Sequence, residues 1–119
     1  MEYFGTDNLD ESALTIDERL TRCYELAAYA LTLGTAPSDA TLIHGTWQHV
    51  IYAPRRIAHA WLELADGRVW EPISGVIYER SEWNLIMQPT DERRYTKTEA
   101  RNAIMFHRNW GSWHASEFA

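Results

Sequence analysis

Cysteine is almost missing from this chain: Cys23 is the one thiol in 119 residues. That excludes an internal disulfide and a cysteine-rich zinc site. Basic residues are also scarce, 11 against 17 acids, for a formal net charge of -6. Such a balance argues against nucleic acid as a partner, because phosphate binding needs clustered Lys and Arg. Arg93, Arg94, Lys97, Arg101 and Arg108 do gather late in the chain, but acids are interspersed among them and they read as a solvated helix face. No apolar run approaches the length that crosses a bilayer. The start, Met1 to Asp7, has no basic stretch followed by an apolar one, so no signal peptide is expected. A reducing, cytoplasmic setting is the simplest expectation. Internal repeats and low-complexity segments are absent too.

What is present suits a compact domain. Apolar residues make up 45% of the chain, and six residues are Trp. That is rich for a disordered chain, and the length suffices to bury a core without disulfides or metals. Residues 1–14 are polar and acidic and read as an N-terminal arm, leaving 15–119 as one domain. Thr15-Ile16-Asp17-Glu18 has the pattern of a capping box. Ile16, Leu20, Cys23, Ala27, Ala30 and Leu31 then recur at helical spacing, with Gly34 as a candidate C-cap. Thr35 to Asp39 is a loop.

A series of strands follows. Thr41 to Tyr52 is rich in β-branched and aromatic residues, with a kink expected at Gly45, and Ala53-Pro54-Arg55 ends it. Arg56 to Leu64 and Arg68 to Ile73 form a hairpin about Ala65-Asp66-Gly67. Ser74-Gly75 turns the chain into a short strand at Val76 to Tyr78. Ser81 to Met87 is ambiguous between helix and strand, and Arg93 to Thr96 reads as another strand. Thr96-Lys97-Thr98-Glu99 is a second capping box, opening a helix that stops before Gly111. The expected architecture is α+β: an N-terminal helix carrying the cysteine, packed on a small antiparallel sheet, with a C-terminal helix.

Cys23, His59 and Glu71 fall in an order that suggests a thiol nucleophile, a base and a group that orients the base. The hairpin decides whether they can meet. Side chains alternate along a strand, so Ile57, His59, Trp61 and Glu63 share a face. A two-residue Asp66-Gly67 turn would pair Ala65 with Arg68 and send Glu71 to the opposite face. A three-residue Ala65-Asp66-Gly67 loop would pair Leu64 with Arg68. Glu71 would then lie opposite Trp61 and diagonal to His59, within reach of a long side chain. Gly67 sits where the three-residue loop needs a left-handed residue. The sequence permits both turns, and the catalytic reading requires the second.

The segments Cys23-Tyr24-Glu25-Leu26-Ala27, Leu42-Ile43-His44-Gly45, His59-Ala60-Trp61-Leu62-Glu63 and Val69-Trp70-Glu71-Pro72 resemble the transglutaminase-like branch of the papain-like superfamily. The resemblance covers roughly residues 20–73. It implies Cys23 as nucleophile, His59 as general base and Glu71 as the residue that orients His59. The chain departs from the pattern twice. The family usually has Asp where this chain has Glu71, and it often has Gly just before the cysteine, where Thr21-Arg22 stand here. A thiol is activated at a helix N-terminus or beside an imidazolium. The expectation is therefore a helix that is interrupted near Leu20 to Arg22 and restarts at Cys23, with Thr21 as cap.

The function this implies is cysteine acyl transfer on an amide or ester of a protein or peptide, resolved by water or an amine. The Cys23 backbone amide would stabilise the oxyanion with a side-chain donor, for which Gln48 and Trp47 are candidates. Trp61 and His44 are candidates to line the cleft, although packing is the commoner role for Trp61, Trp70 and a lone His. The alternative function is a binding or inhibitory module on the same fold with a vestigial triad. No cofactor is implied. The histidines 44, 49, 59, 107 and 114 match no metal-ligand spacing. Glu63 reads as a solvated hairpin residue. Trp110-Gly111-Ser112-Trp113-His114 is expected to pack on the sheet rather than close over a groove, and a homodimer is left open.

Overall fold

The computed structural model describes residues 22–48 and 56–113, Glu92 by its backbone alone. The polar arm, the capping box at Thr15 to Glu18, the cap at Thr21, the end of the first strand, His49 and His114 lie outside the described residues. Among the described residues, three helices and a five-stranded antiparallel sheet make the α+β fold expected from the sequence. Helix α1 spans Cys23–Thr32, and strands β1 Thr41–Trp47, β2 Ile57–Glu63, β3 Val69–Glu71 and β4 Val76–Tyr78 follow. Helix α2 is Arg80–Met87, β5 is Thr90–Tyr95 and α3 is Lys97–His107. The strands lie in the order β4-β3-β2-β1-β5.

Alternation along the strands sends two sets of side chains to two cores. On one face Leu42, Ala60, Leu62 and Trp70 pack with Ala27, Ala28, Ala30 and Leu31 of α1 and with Ala100 of α3. The three alanines let α1 lie close to the sheet. On the other face Ile43, Trp47, Trp61 and Val69 pack with Trp83 and Met87 of α2. That burial resolves the ambiguity at Ser81 to Met87 in favour of a helix, because Trp83 and Met87 lie four apart and share a helix face. No helix among the described residues is long and apolar enough to cross a membrane.

The local signals have varied outcomes. Thr96 and Glu99 make the reciprocal capping box at the start of α3. Gly34 is not the left-handed cap expected of it: Leu33 caps α1, and the amides of Leu33 and Gly34 both donate to the Tyr29 carbonyl. Arg93 and Arg94 belong to β5, not to a helix face. Glu63 is not a lone solvated residue either, since its carboxylate pairs with Arg80 and Arg94, each at 2.6 Å. The kink expected at Gly45 is a register shift between His44 and Gly45 against β5. Glycine is required there: an added Cβ would collide with the Thr90 carbonyl and stand 2.7 Å from the Trp61 ring.

The β2–β3 hairpin takes the three-residue loop. The Leu64 amide donates to the Arg68 carbonyl and the Gly67 amide to the Leu64 carbonyl. Leu62 pairs with Trp70 and Glu63 with Val69. Gly67 has φ +91°, the conformation the loop needs at that position. By this register Glu71 falls opposite Trp61, on the face that carries His59.

Candidate active site

Three elements converge. Helix α1 begins at Cys23, as expected, with Arg22 at the N-cap and no side-chain cap. The first-turn N–H groups of a helix have no acceptor within it, so the thiol stands at the positive end of α1. Strand β2 brings His59, and β3 ends on Glu71. Cys23, His59 and Glu71 are 4%, 2% and 2% exposed.

Histidine 59 links the other two. Its Nε2 lies 2.9 Å from Glu71 Oε2, and Cys23 is close enough to raise its pKa. A carboxylate only accepts, so Nε2 carries a proton and Nδ1 is the nitrogen left for the thiol. The Trp47 indole stacks on the imidazole, with centroids 4.6 Å apart and planes at 26°. A ring face in that position favours an imidazolium.

Glu71 is held by more than the histidine. Oε2 also accepts from the Ile73 amide at 2.7 Å, and Oε1 accepts from the Ser74 amide and the Ser74 hydroxyl, each at 2.8 Å. Pro72 has no N–H, so the first amides free to turn back on the carboxylate are those of Ile73 and Ser74. The Gly75 amide closes the turn on the Glu71 carbonyl, with Gly75 at φ +73°.

These contacts set the charges. Burial works against a charged His59, but the hydrogen bonds to Cys23 and Glu71 and the attraction of Glu71 outweigh it, and the imidazole rises from 6.5 to about 9. Burial likewise works against a charged Glu71. The bond and charge of His59, then the amides of Ile73 and Ser74, overcome it and hold the carboxyl below its ordinary value. At neutral pH the pair is therefore an imidazolium and a carboxylate, buried together and hydrogen-bonded on both carboxylate oxygens.

The other candidate residues are placed differently. Trp47 reaches the site as a ring stacked on His59. Gln48 follows β1, its amide bonded to the Met87 carbonyl at 2.9 Å. Trp61 shares the face of His59 but is 0% exposed and packs on Trp83 at 5.3 Å, so it is core beneath the site rather than a lining residue. His44 is 0% exposed and lies on the opposite face, because Gly45 is the residue paired with His59. Its ring is enclosed by Tyr24, Tyr95 and Trp113 at 4.8 to 5.0 Å, which removes it from the cleft. Trp110 and Trp113 pack with the α1 and α3 face of the sheet, and Gly111 lies against the His44 ring. Among the described residues no three His, Cys, Asp or Glu side chains cluster as metal ligands.

Trp47, an oxyanion candidate by sequence, is placed by its pairing with Ile57, diagonal to His59. One partner of the site escapes a reading of the residue order. Ser74 reads as a turn residue. The signal that marks it is a hydroxyl three positions after the acid, in a turn closed by glycine. No protein-family model matches the chain, and neither does a curated protein or a solved structure.

Proposed function

We propose that this protein is a small cysteine acyl-transfer enzyme of the transglutaminase-like class, acting on an amide or ester of a protein or peptide. One observation carries the reading: a single His59 ring bridges the Cys23 thiol, at the first residue of a helix, and a carboxylate held on both oxygens. Cys23 Sγ would add to the carbonyl carbon as the C=O electron pair moves to oxygen. The backbone N–H of Cys23 would stabilise that oxyanion. Collapse would expel the amine or alcohol, which takes the proton from His59 Nδ1. Water or an amine would then attack the thioester, returning a proton to His59 and freeing the thiol.

A second reading is a binding module with an inactive triad. It is favoured by an apolar groove between α1 and α3, lined by Thr32, Leu33, Arg101, Ile104, Met105 and Trp110, with Met105 70% exposed. Alkylation by iodoacetamide at pH 6 separates the two. Acyl-transfer chemistry requires that His59→Ala slow the reaction of Cys23 by about tenfold or more, since it removes the base beside the thiol. Equal rates in wild type and variant would refute the enzyme and leave the groove as the feature to pursue.

A further inference from the structure

We infer that the Glu71-Pro72-Ile73-Ser74-Gly75 turn is a cradle matched to the length of a glutamate, and that Ser74 is a positioning residue which acts through Glu71 on His59. The inference rests on the Cys-His-acid reading of the site and deepens it.

Four donors converge on the Glu71 carboxylate: His59 Nε2, the Ile73 amide, the Ser74 amide and the Ser74 hydroxyl. Two fall on each oxygen, which fills the lone-pair sites of a carboxylate. The three turn donors lie within three residues of Glu71 in the chain, so the turn itself fixes where the carboxylate rests. The histidine then meets an acceptor that cannot rotate away. Ser74 supplies two of the three turn donors, and its Oγ also accepts from the Val76 amide at 3.3 Å, which orients the hydroxyl.

The geometry also explains why glutamate stands where the resembled family has Asp. Glu71 must bend back to its own turn and still reach across β3 to β2. An aspartate is about 1.5 Å shorter. It can serve the turn or His59, but not both. Restoring the family's residue should therefore impair this site rather than improve it.

Iodoacetamide alkylation of Cys23 at pH 6 tests the proposal in wild type, Ser74→Ala, Ser74→Thr, Glu71→Asp and His59→Ala. Ser74→Ala is expected to slow alkylation by roughly three- to tenfold, the net weight of one ordinary hydrogen bond. Ser74→Thr keeps the hydroxyl and should return the rate to within about twofold of wild type. Glu71→Asp should be at least as slow as Ser74→Ala. Wild-type alkylation rates in Ser74→Ala or Glu71→Asp would overturn the proposal. So would a Ser74→Thr variant as slow as Ser74→Ala, since the hydroxyl would then not be the group that acts. If His59→Ala also reacts like wild type, the thiol reading itself fails; if His59→Ala is slow and Ser74→Ala is not, only the cradle fails.

Discussion

Replacing Glu71 with Gln exchanges one carboxylate oxygen for an NH2 group and tests the electrostatics of the site. The folded protein holds His59 near 9 against 6.5 in the unfolded chain, so the charged imidazole contributes up to about 3 kcal/mol where it is protonated in both states. A raised histidine gives its full contribution below 6.5 and loses it as the pH climbs through about 9. Glu71 has the opposite sign: its lowered carboxyl contributes above its ordinary value of 4.5 and loses that contribution as the pH falls. The wild type should accordingly be most stable between about pH 5 and 7 and weaken on both sides. The Glu71→Gln variant would lack the charge and turn its NH2 group toward the donors of one carboxylate edge, either His59 and Ile73 or Ser74. The loss at pH 6 should be about 3 to 5 kcal/mol, the range for breaking a buried pair by removing one partner. Urea denaturation of both proteins at pH 5.5, 7.5 and 9.5 measures it, and the gap should narrow by the highest pH as His59 neutralises. Stability curves that run parallel from pH 5.5 to 9.5 would refute the charge assignment.

Three further substitutions test the scaffold that delivers the site. Gly45→Ala forces a Cβ onto the Thr90 carbonyl and the Trp61 ring, and should destabilise by about 2 kcal/mol or more in urea titration. Gly67→Ala meets no neighbour within 4 Å but holds φ at +91°, so it should cost only about 1 kcal/mol of backbone strain by the same assay. Glu63→Gln removes the charge that faces Arg80 and Arg94 at a partly exposed position and should cost no more than about 1 kcal/mol, diminishing in 1 M salt.

The sequence speaks most clearly where a rule is local or has a period of two. The capping box at Thr96 and Glu99 depends on residues three apart, and it forms. The choice of hairpin loop rests on one glycine with a positive φ. Once Leu64 pairs with Arg68, alternation alone carries Glu71 to the face of His59. What stays hidden depends on contacts between distant elements. His44 stands one residue before Gly45, in a strand that resembles a family motif. Yet its face is decided by pairing with Ala60, and it is buried among aromatics from α1, β5 and the segment after α3. Glu63 carries no signal at all for its two arginines, which arrive from 17 and 31 residues away.

The acid illustrates how a departure from a pattern becomes intelligible only through its surroundings. Taken alone, Glu71 departs from the resembled pattern, and its longer side chain implies a different geometry. In the folded chain the added length is taken up by the turn: Ile73 and Ser74 draw the carboxylate back, and His59 finds Oε2 at 2.9 Å. The acid and its turn therefore form one unit, and neither residue type can be exchanged without the other. Trp47 completes the same logic from β1, since a ring stacked on His59 narrows the space in which the imidazole can turn. A buried ion pair this fully bonded is a poor source of net stability compared with apolar packing of the same volume. Its presence beside the chain's one thiol is better accounted for by chemistry than by folding, and that is the strongest ground for testing Cys23 first.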